Sequence, residues 1–290
     1  MPVHIPLFPL ERRMSEQRPR MGAVKQITSH SNPIIKEIKG LVALRKHRTQ
    51  SGLFVAEGLK LATDALDAGW TVRYLALGPE ARDNPIAQKA AATAKSRGAL
   101  ILEVNTPILE AITRKENPQM VVGVYEQQLT PLEHIDPAQS TVWIALDRVR
   151  DPGNLGTIIR TADAVGASGV ILIGDCTDPF AVEAVRATMG SLFHVPLVKT
   201  SADAFEAVMA KWPGTVAGTH LAGSVDYRTV DYREPALLVM GNEQQGLSDD
   251  LAAACKTLVR IPQAGQADSL NLAVATGITL YEIRRKKLSL

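Results

Sequence analysis

Cysteine is nearly absent from this chain: there are two in 290 residues, Cys176 and Cys255. That scarcity excludes a disulfide-stapled scaffold and a clustered Cys/His zinc site, and it fits a reducing, cytoplasmic compartment. Aromatic residues make up only 4% of the sequence, so stacking of bases on aromatic platforms is a weaker expectation than recognition of shape and backbone. Apolar runs end at Gly, Pro or a charge well short of the roughly 20 residues a membrane-spanning helix needs, and no membrane partner is expected. No P-loop and no G-x-S-x-G nucleophile turn occurs. Where a dinucleotide-binding fold carries G-x-G-x-x-G, the second half of the chain reads Asp151-Pro152-Gly153-Asn154-Leu155-Gly156, which disfavours a nicotinamide-dependent oxidoreductase. No cluster of metal ligands is present, and no metal is expected.

What is present is ample apolar content, 46%, for two domain cores, and a net charge of +2 that is unevenly spread. The first 60 residues hold eleven Lys and Arg against four Glu; the remaining 230 hold 21 against 26 acidic residues. Basic clustering of this kind suits phosphate contact, because neutralising phosphates releases counterions; a solvated helix face with a loose tail would read the same way. Residues 1–23 mix Pro, Arg and Met without periodicity and are expected to be a disordered basic tail rather than a signal peptide, with Met14 and Met21 as alternative starts.

Residues 24–126 alternate between short apolar runs and amphipathic stretches, which predicts a small α/β domain. Helices are expected over 33–48, 57–68, 87–96 and 107–111, and strands over 53–56, 72–77, 100–104 and 120–125. His30, Asn32, Lys46, His47, Arg48 and Arg114 are its candidate RNA-facing residues, since such side chains on loops and helices reach phosphates without a preformed pocket. Each has a plain alternative in surface solubility. Residues 127–140, with Pro131 and Pro137 and no apolar period, read as a linker. From 141 to the C-terminus, runs of Val, Ile, Leu and Ala at 142–146, 169–174, 195–199, 215–219, 236–240 and 257–261 are nearly continuous, as in a parallel sheet covered on both faces. Helices are expected over 155–165, 181–190, 202–210, 249–254 and 270–285.

Three segments of this second half carry polar residues at turns between apolar strands and helices: DPGNLGTIIRTADAVGASGVIL (Asp151 to Leu172), LVMGNEQQGLSDD (Leu238 to Asp250) and VRIPQAGQADSLNLAVATGITLYE (Val259 to Glu282). In this order and spacing they resemble the SpoU family of RNA ribose 2′-O-methyltransferases, of the SPOUT superfamily, over roughly Val142 to the C-terminus. The run Gly52 to Lys60, GLFVAEGLK, is similar to the opening of the ribosomal-protein-like RNA-binding domain that precedes the catalytic one in such relatives. The resemblance implies an α/β SPOUT domain with a parallel sheet and a deep trefoil knot, and S-adenosylmethionine held against Thr219, Gly241, Ile261 and Leu270. Ile261 and Leu270 would then sandwich the adenine, although both suit plain core packing. Glycines at 241, 246 and 265 would let backbone approach that flat ligand.

Methyl transfer to a ribose needs an oxygen nucleophile in line with the sulfonium methyl, removal of the hydroxyl proton and a grip on the adjoining phosphate. The resemblance places Arg160 at the reacting hydroxyl, with Asn154 and Glu243 as organisers and Ser269 and Asn271 against substrate or backbone. Two roles stand open for Arg160. A guanidinium with a pKa above about 12 is a poor base at neutral pH, which favours a bidentate phosphate clamp over a proton acceptor. Leu270, Val274, Ile278, Tyr281 and Ile283 form an apolar helical stripe, and relatives dimerise through this region, so a homodimer is expected. Ribosomal RNA is the expected substrate. Alternatives are transfer RNA, methylation of a base, or a non-catalytic RNA-binding or ribosome-assembly factor on the same fold.

Overall fold

The computed structural model describes residues 22–221, Gly223 and residues 225–289; all but the last two residues of the expected tail lie outside them. The first half builds a five-stranded sheet. In chain order its elements are β1 (Val24–Ile27), α1 (Pro33–Ala43), α2 (Arg45–Ser51), β2 (Leu53–Glu57), α3 (Leu59–Asp67), β3 (Val72–Leu77), α4 (Pro85–Ser96), β4 (Leu100–Val104), α5 (Thr106–Thr113) and β5 (Val121–Glu126). The strand order is β1-β4-β3-β5-β2, with β5 antiparallel to both neighbours. Ile35, Ile38, Ile108 and Ile112 of α1 and α5 cover one face; Leu61, Ala65, Ala90 and Ala94 of α3 and α4 cover the other. Each large aliphatic side chain buried in this way contributes about 1.5–3 kcal/mol.

The expected helix over 33–48 is two helices. Leu44 is extended (φ −129°, ψ 120°) and exposed, and the chain restarts as α2 after it. The turn drives Arg48 inward: it is 5% exposed, its Nε donates to Asp178 Oδ2 at 2.7 Å and its Nη1 to the Leu41 carbonyl at 2.7 Å. Arg48 is therefore a buried ion-pair residue and does not face RNA. Asn32 is half-buried, and its side chain accepts from the Ile34 amide to cap α1. His30, Lys46, His47 and Arg114 are exposed.

The second half continues with β6 (Val142–Asp147), α6 (Pro152–Ala164), β7 (Gly169–Ile173), α7 (Val182–Ala187), β8 (Leu197–Thr200), α8 (Ala202–Ala210), β9 (Val216–Thr219), β10 (Val225–Asp226), β11 (Ala236–Met240), α9 (Asp249–Ala254), β12 (Thr257–Arg260) and α10 (Leu272–Arg284). Its seven strands run in the order β10-β12-β9-β11-β6-β7-β8, every pair parallel. Both faces are covered, by α6, α7 and α10 on one side and α8 and α9 on the other. From β6 the chain moves outward through β7 and β8, then crosses to the other half of the sheet. That reversal of strand order is where α/β sheets open a crevice beyond the carboxyl ends of their strands.

The connection over 127–140 is packed: Leu132 and Ile135 sit on the core of the second sheet and the Thr130 amide donates to the Leu197 carbonyl. The two halves also share an aromatic cluster. Phe54 stands 4.9 Å from Phe180, Trp70 stands 5.2 Å from Phe193 edge-on, and the Trp70 indole donates to the Phe193 carbonyl at 3.0 Å.

Candidate functional site

A cavity of about 290 Å³ opens at the carboxyl ends of β9, β11 and β12. Thr219, Gly241, Ile261 and Leu270 all line it, as do Glu243 and Ser269. Ile261 and Leu270 are half-exposed and present apolar surface to the cavity instead of joining the core. The Thr219 hydroxyl lies 3.3 Å from the Met240 sulfur. Besides lining the cavity, Gly241 is pressed against its own loop. A Cβ there would stand 2.1 Å from the backbone of Gly246 and Leu247, so the close approach is to its own loop. That loop closes as a bridge between Asn242 and Gly246, and Gly246 takes the left-handed conformation (φ 70°) the reversal requires.

The three motif segments converge at the cavity rim through side-chain hydrogen bonds. Asp151 caps α6, accepting from the Asn154 amide at 2.6 Å, and Pro152 occupies the first helical turn, where a missing N–H costs nothing. The Asn154 side-chain amide donates to Glu243 Oε1 at 3.3 Å, and Asn271 Nδ2 donates to Asn154 Oδ1 at 2.9 Å. Asn271 in turn caps α10, its Oδ1 accepting from the Ala273 and Val274 amides. The Glu243 carboxylate also accepts the Arg150 and Asp151 backbone amides, both at 3.1 Å. Partial burial pushes the Glu243 pKa up, but the two backbone donors and Asn154 outweigh it and hold the carboxyl below its ordinary range. Glu243 is thus a loop organiser that is ionised at neutral pH.

Ser269 is exposed at the rim, and its hydroxyl has no partner among the described residues. Arg160 stands apart from the network. It lies on the exposed face of α6, outside the cavity lining, and no hydrogen bond or ion pair engages its guanidinium among the described residues.

Sequence reasoning missed the residues that brace this loop from below. Asp147, at the end of β6, is 2% exposed; it takes both arms of the Arg148 guanidinium at 2.9 Å and the Ser248 amide at 3.0 Å. Arg148 holds a left-handed backbone (φ 52°), and its carbonyl accepts from the Asn242 side chain at 2.7 Å. A carboxylate ending an otherwise apolar strand, Val142–Asp147, was the available signal. Among the described residues no group of His, Cys, Asp or Glu is arranged to hold a metal.

A crevice at the carboxyl ends of β9, β11 and β12 of a parallel sheet, rimmed by an Asn–Asn–Glu network, is the kind of site at which α/β proteins bind small ligands. The chain belongs to the SpoU rRNA methylase family, whose model matches residues 141–281; an MRM3-like substrate-binding domain matches residues 32–123. It is 34% identical over 276 residues to the 23S rRNA (uridine(2479)-2′-O)-methyltransferase of Streptomyces viridochromogenes, covering 93% of this chain and 95% of that one. Identity to the 23S rRNA (guanosine(2553)-2′-O)-methyltransferase RlmP of Bacillus subtilis is 32%, over 90% of this chain and 100% of the relative. The crystal structure of an AdoMet-bound rRNA methyltransferase from Sinorhizobium meliloti superposes with a TM-score of 0.86 at 54% identity, covering 92% of this chain and 99% of that one.

Proposed function

We propose that this protein is an S-adenosylmethionine-dependent RNA ribose 2′-O-methyltransferase acting on large-subunit ribosomal RNA. The observation that carries this reading is the joining of Asn154, Glu243 and Asn271, one from each motif segment, at the rim of a cavity lined by Thr219, Gly241, Ile261 and Leu270. The cavity suits the cofactor on its own chemistry. Ile261, Leu270 and Leu272 offer apolar plates for a flat ring, and the Gly241–Leu247 loop offers backbone polar groups. When bound, the cofactor supplies a methyl group on an already activated sulfonium.

The protein's part is then positioning and charge. Ser269, with a free hydroxyl at the rim, orients the incoming nucleotide. Arg160, unpaired and exposed, clamps the adjoining phosphate and stabilises the developing alkoxide electrostatically. A guanidinium spent on no internal partner supports this clamp role over proton abstraction. The Glu243–Asn154–Asn271 chain keeps the two loops in register while this happens.

The deep knot belongs to the same reading. Residues 262–271 return from β12 past the Gly241–Leu247 loop to start α10 against α6 and β11, a course that supports such threading. So does a homodimer. Val274 and Tyr281, about half exposed, and Ile278 share one outward face of α10, while Leu272, Ala273, Thr276, Thr279, Leu280 and Ile283 face inward. The free thiols of Cys176 and Cys255 support a cytoplasmic location. Relatives that modify uridine in one case and guanosine in another support ribose as the target and leave the base to the RNA-binding surface.

The test is transfer of radiolabelled methyl from S-adenosylmethionine to total RNA from a strain lacking the protein, followed by nucleoside analysis. A labelled 2′-O-methylnucleoside in large-subunit ribosomal RNA, reduced on the order of a hundredfold by Arg160→Ala, is the expected result. Label on a base or in transfer RNA would redirect the assignment, and cofactor and RNA binding without transfer would favour an assembly factor.

A further inference from the structure

Outside the cavity, ion pairs link the two halves of the molecule at more than one place, and one such cluster is open to water. Arg45 and Arg48 lie three residues apart on α2, and Asp175 and Asp178 lie three apart in the loop after β7. The buried Arg48–Asp178 pair fixes this alignment, so that Arg45 Nη1 reaches Asp175 Oδ1 at 3.3 Å. On the same carboxylate, Arg150 Nη1 meets Asp175 Oδ2 at 2.7 Å. Unlike the inner pair, all three side chains are open to water, at 48%, 64% and 60% for Arg45, Asp175 and Arg150.

Stability does not account for this arrangement. Exposed ion pairs contribute little to stability, and holding two guanidiniums on one carboxylate brings like charges together. What it does provide is a preorganised pair of forks. Each arginine carries five N–H donors and gives one hydrogen bond to Asp175, leaving the rest open to solvent in the fork geometry that suits phosphate oxygens. Position adds a second argument, because the Arg150 amide is held by Glu243 while its side chain reaches the loop that α2 packs on. The pair therefore spans the gap between the exposed cations of α2, Lys46 among them, and the motif loop at the cavity rim. The two arginines also hold the Asp175 carboxyl below its ordinary range, Arg150 the more strongly.

We propose that Arg45 and Arg150, set side by side by Asp175, form a phosphate-binding pair that carries the RNA backbone from the N-terminal half onto the catalytic loop. The proposal rests on the methyltransferase reading above and adds a site to it. Asp175 is a positioning residue here: it sets the spacing of the two forks and yields part of its contact when a phosphate arrives.

The test uses the full-length protein and a fluorescein-labelled single-stranded RNA 20-mer, with affinity measured across a salt series. Arg45→Gln and Arg150→Gln are each expected to weaken binding about tenfold and to reduce the slope of log affinity against log salt by about 0.7, one phosphate's worth on a single strand. S-adenosylmethionine affinity, measured by calorimetry, stays at the wild-type value in Arg45→Gln, which touches no part of the cofactor loop. Asp175→Asn separates orientation from charge: it makes the patch more positive, yet binding is expected to fail to tighten. Unchanged affinity and slope in Arg45→Gln and Arg150→Gln would overturn the proposal, as would an Asp175→Asn protein that binds RNA more tightly. Wild-type protein that binds RNA with the full salt dependence but transfers no methyl would sink the enzymatic reading and leave the phosphate pair standing.

Discussion

Asn271 donates a hydrogen bond to Asn154 across 117 residues of sequence, Nδ2 to Oδ1 at 2.9 Å. The direction of this bond follows from its surroundings. Two backbone amides of α10 occupy the Asn271 oxygen, so its amide nitrogen points outward; Asn154 must then accept, which turns its own amide toward the acceptor-only carboxylate of Glu243. One chain of donors thus orders three loops that meet only in the folded protein.

Replacing Asn271 by Asp separates the two jobs of that side chain. Aspartate caps a helix as well as asparagine does, so thermal stability is expected to change by less than about 1 kcal/mol. The donor to Asn154 becomes an acceptor facing an acceptor, and methyl transfer is expected to fall by about tenfold or more, reflecting one lost hydrogen bond and a repulsive contact. A melting curve and a transfer assay on one preparation check both halves.

The Glu243 clamp sets a pH limit. Its folded-state pKa lies below its ordinary value of 4.5, so its contribution is complete above 4.5 and is lost as pH falls through the lowered, folded-state value. Glu243→Gln keeps the shape but offers an amide to two backbone donors, and cofactor binding is expected to weaken about tenfold at pH 7. The stability difference between wild type and Glu243→Gln should stay flat from pH 6 to 8 and shrink on acidification below 4.5. A difference that grew toward acid pH would contradict the ionised clamp.

Arg48 makes a contrasting case, because its loss is a matter of folding. Arg48→Ala leaves Asp178 buried without its partner, at a cost of about 3–5 kcal/mol and a fall in melting temperature of roughly 10 °C. A melting temperature unchanged from wild type, together with a reduced salt slope for RNA binding, would return Arg48 to the RNA-facing set.

The outward face of α10 is tested by charge. Val274→Glu combined with Tyr281→Glu places two carboxylates on the proposed dimer surface, and dissociation is expected to become easier by about two orders of magnitude or more. Sedimentation equilibrium reads this directly. Wild type that sediments as a monomer at micromolar concentration would end the dimer proposal.

Most of the architecture was legible because the strands are apolar and covered on both faces. The runs at Val72–Leu77, Leu100–Val104 and Ala236–Met240 end where their composition ends. Less legible elements bury little: three of the four residues of β1 are exposed, and β10 has only two residues. The break at Leu44 was hidden because no Gly or Pro marks it, and with it went the inward turn of Arg48, one buried cation in the run Arg45-Lys46-His47-Arg48. Its partner is 130 residues away, beyond any local pattern. On α10 apolar residues stand on both faces: Val274 and Tyr281 are half exposed, while Thr276 and Thr279 are fully buried beside Leu280, each satisfying its hydroxyl on a carbonyl one turn back, so polarity misled. Motif spacing named Asn154, Glu243 and Asn271 together, but only their coordinates give the order in which they hand hydrogen bonds to one another.

The ring cluster of Phe54, Trp70, Tyr125, Phe180 and Phe193 bears on how the molecule can be taken apart. Because its members come from both halves of the chain, neither half owns a complete hydrophobic interior. A fragment beginning at residue 141 would expose Phe180 and Phe193, which are 0% and 5% accessible in the intact chain, and leave Asp178 without Arg48. Such a fragment is expected to aggregate on expression. The methylase and substrate-binding regions, separable as sequence matches, are expected to unfold together on heating, in a single calorimetric transition for the whole protein.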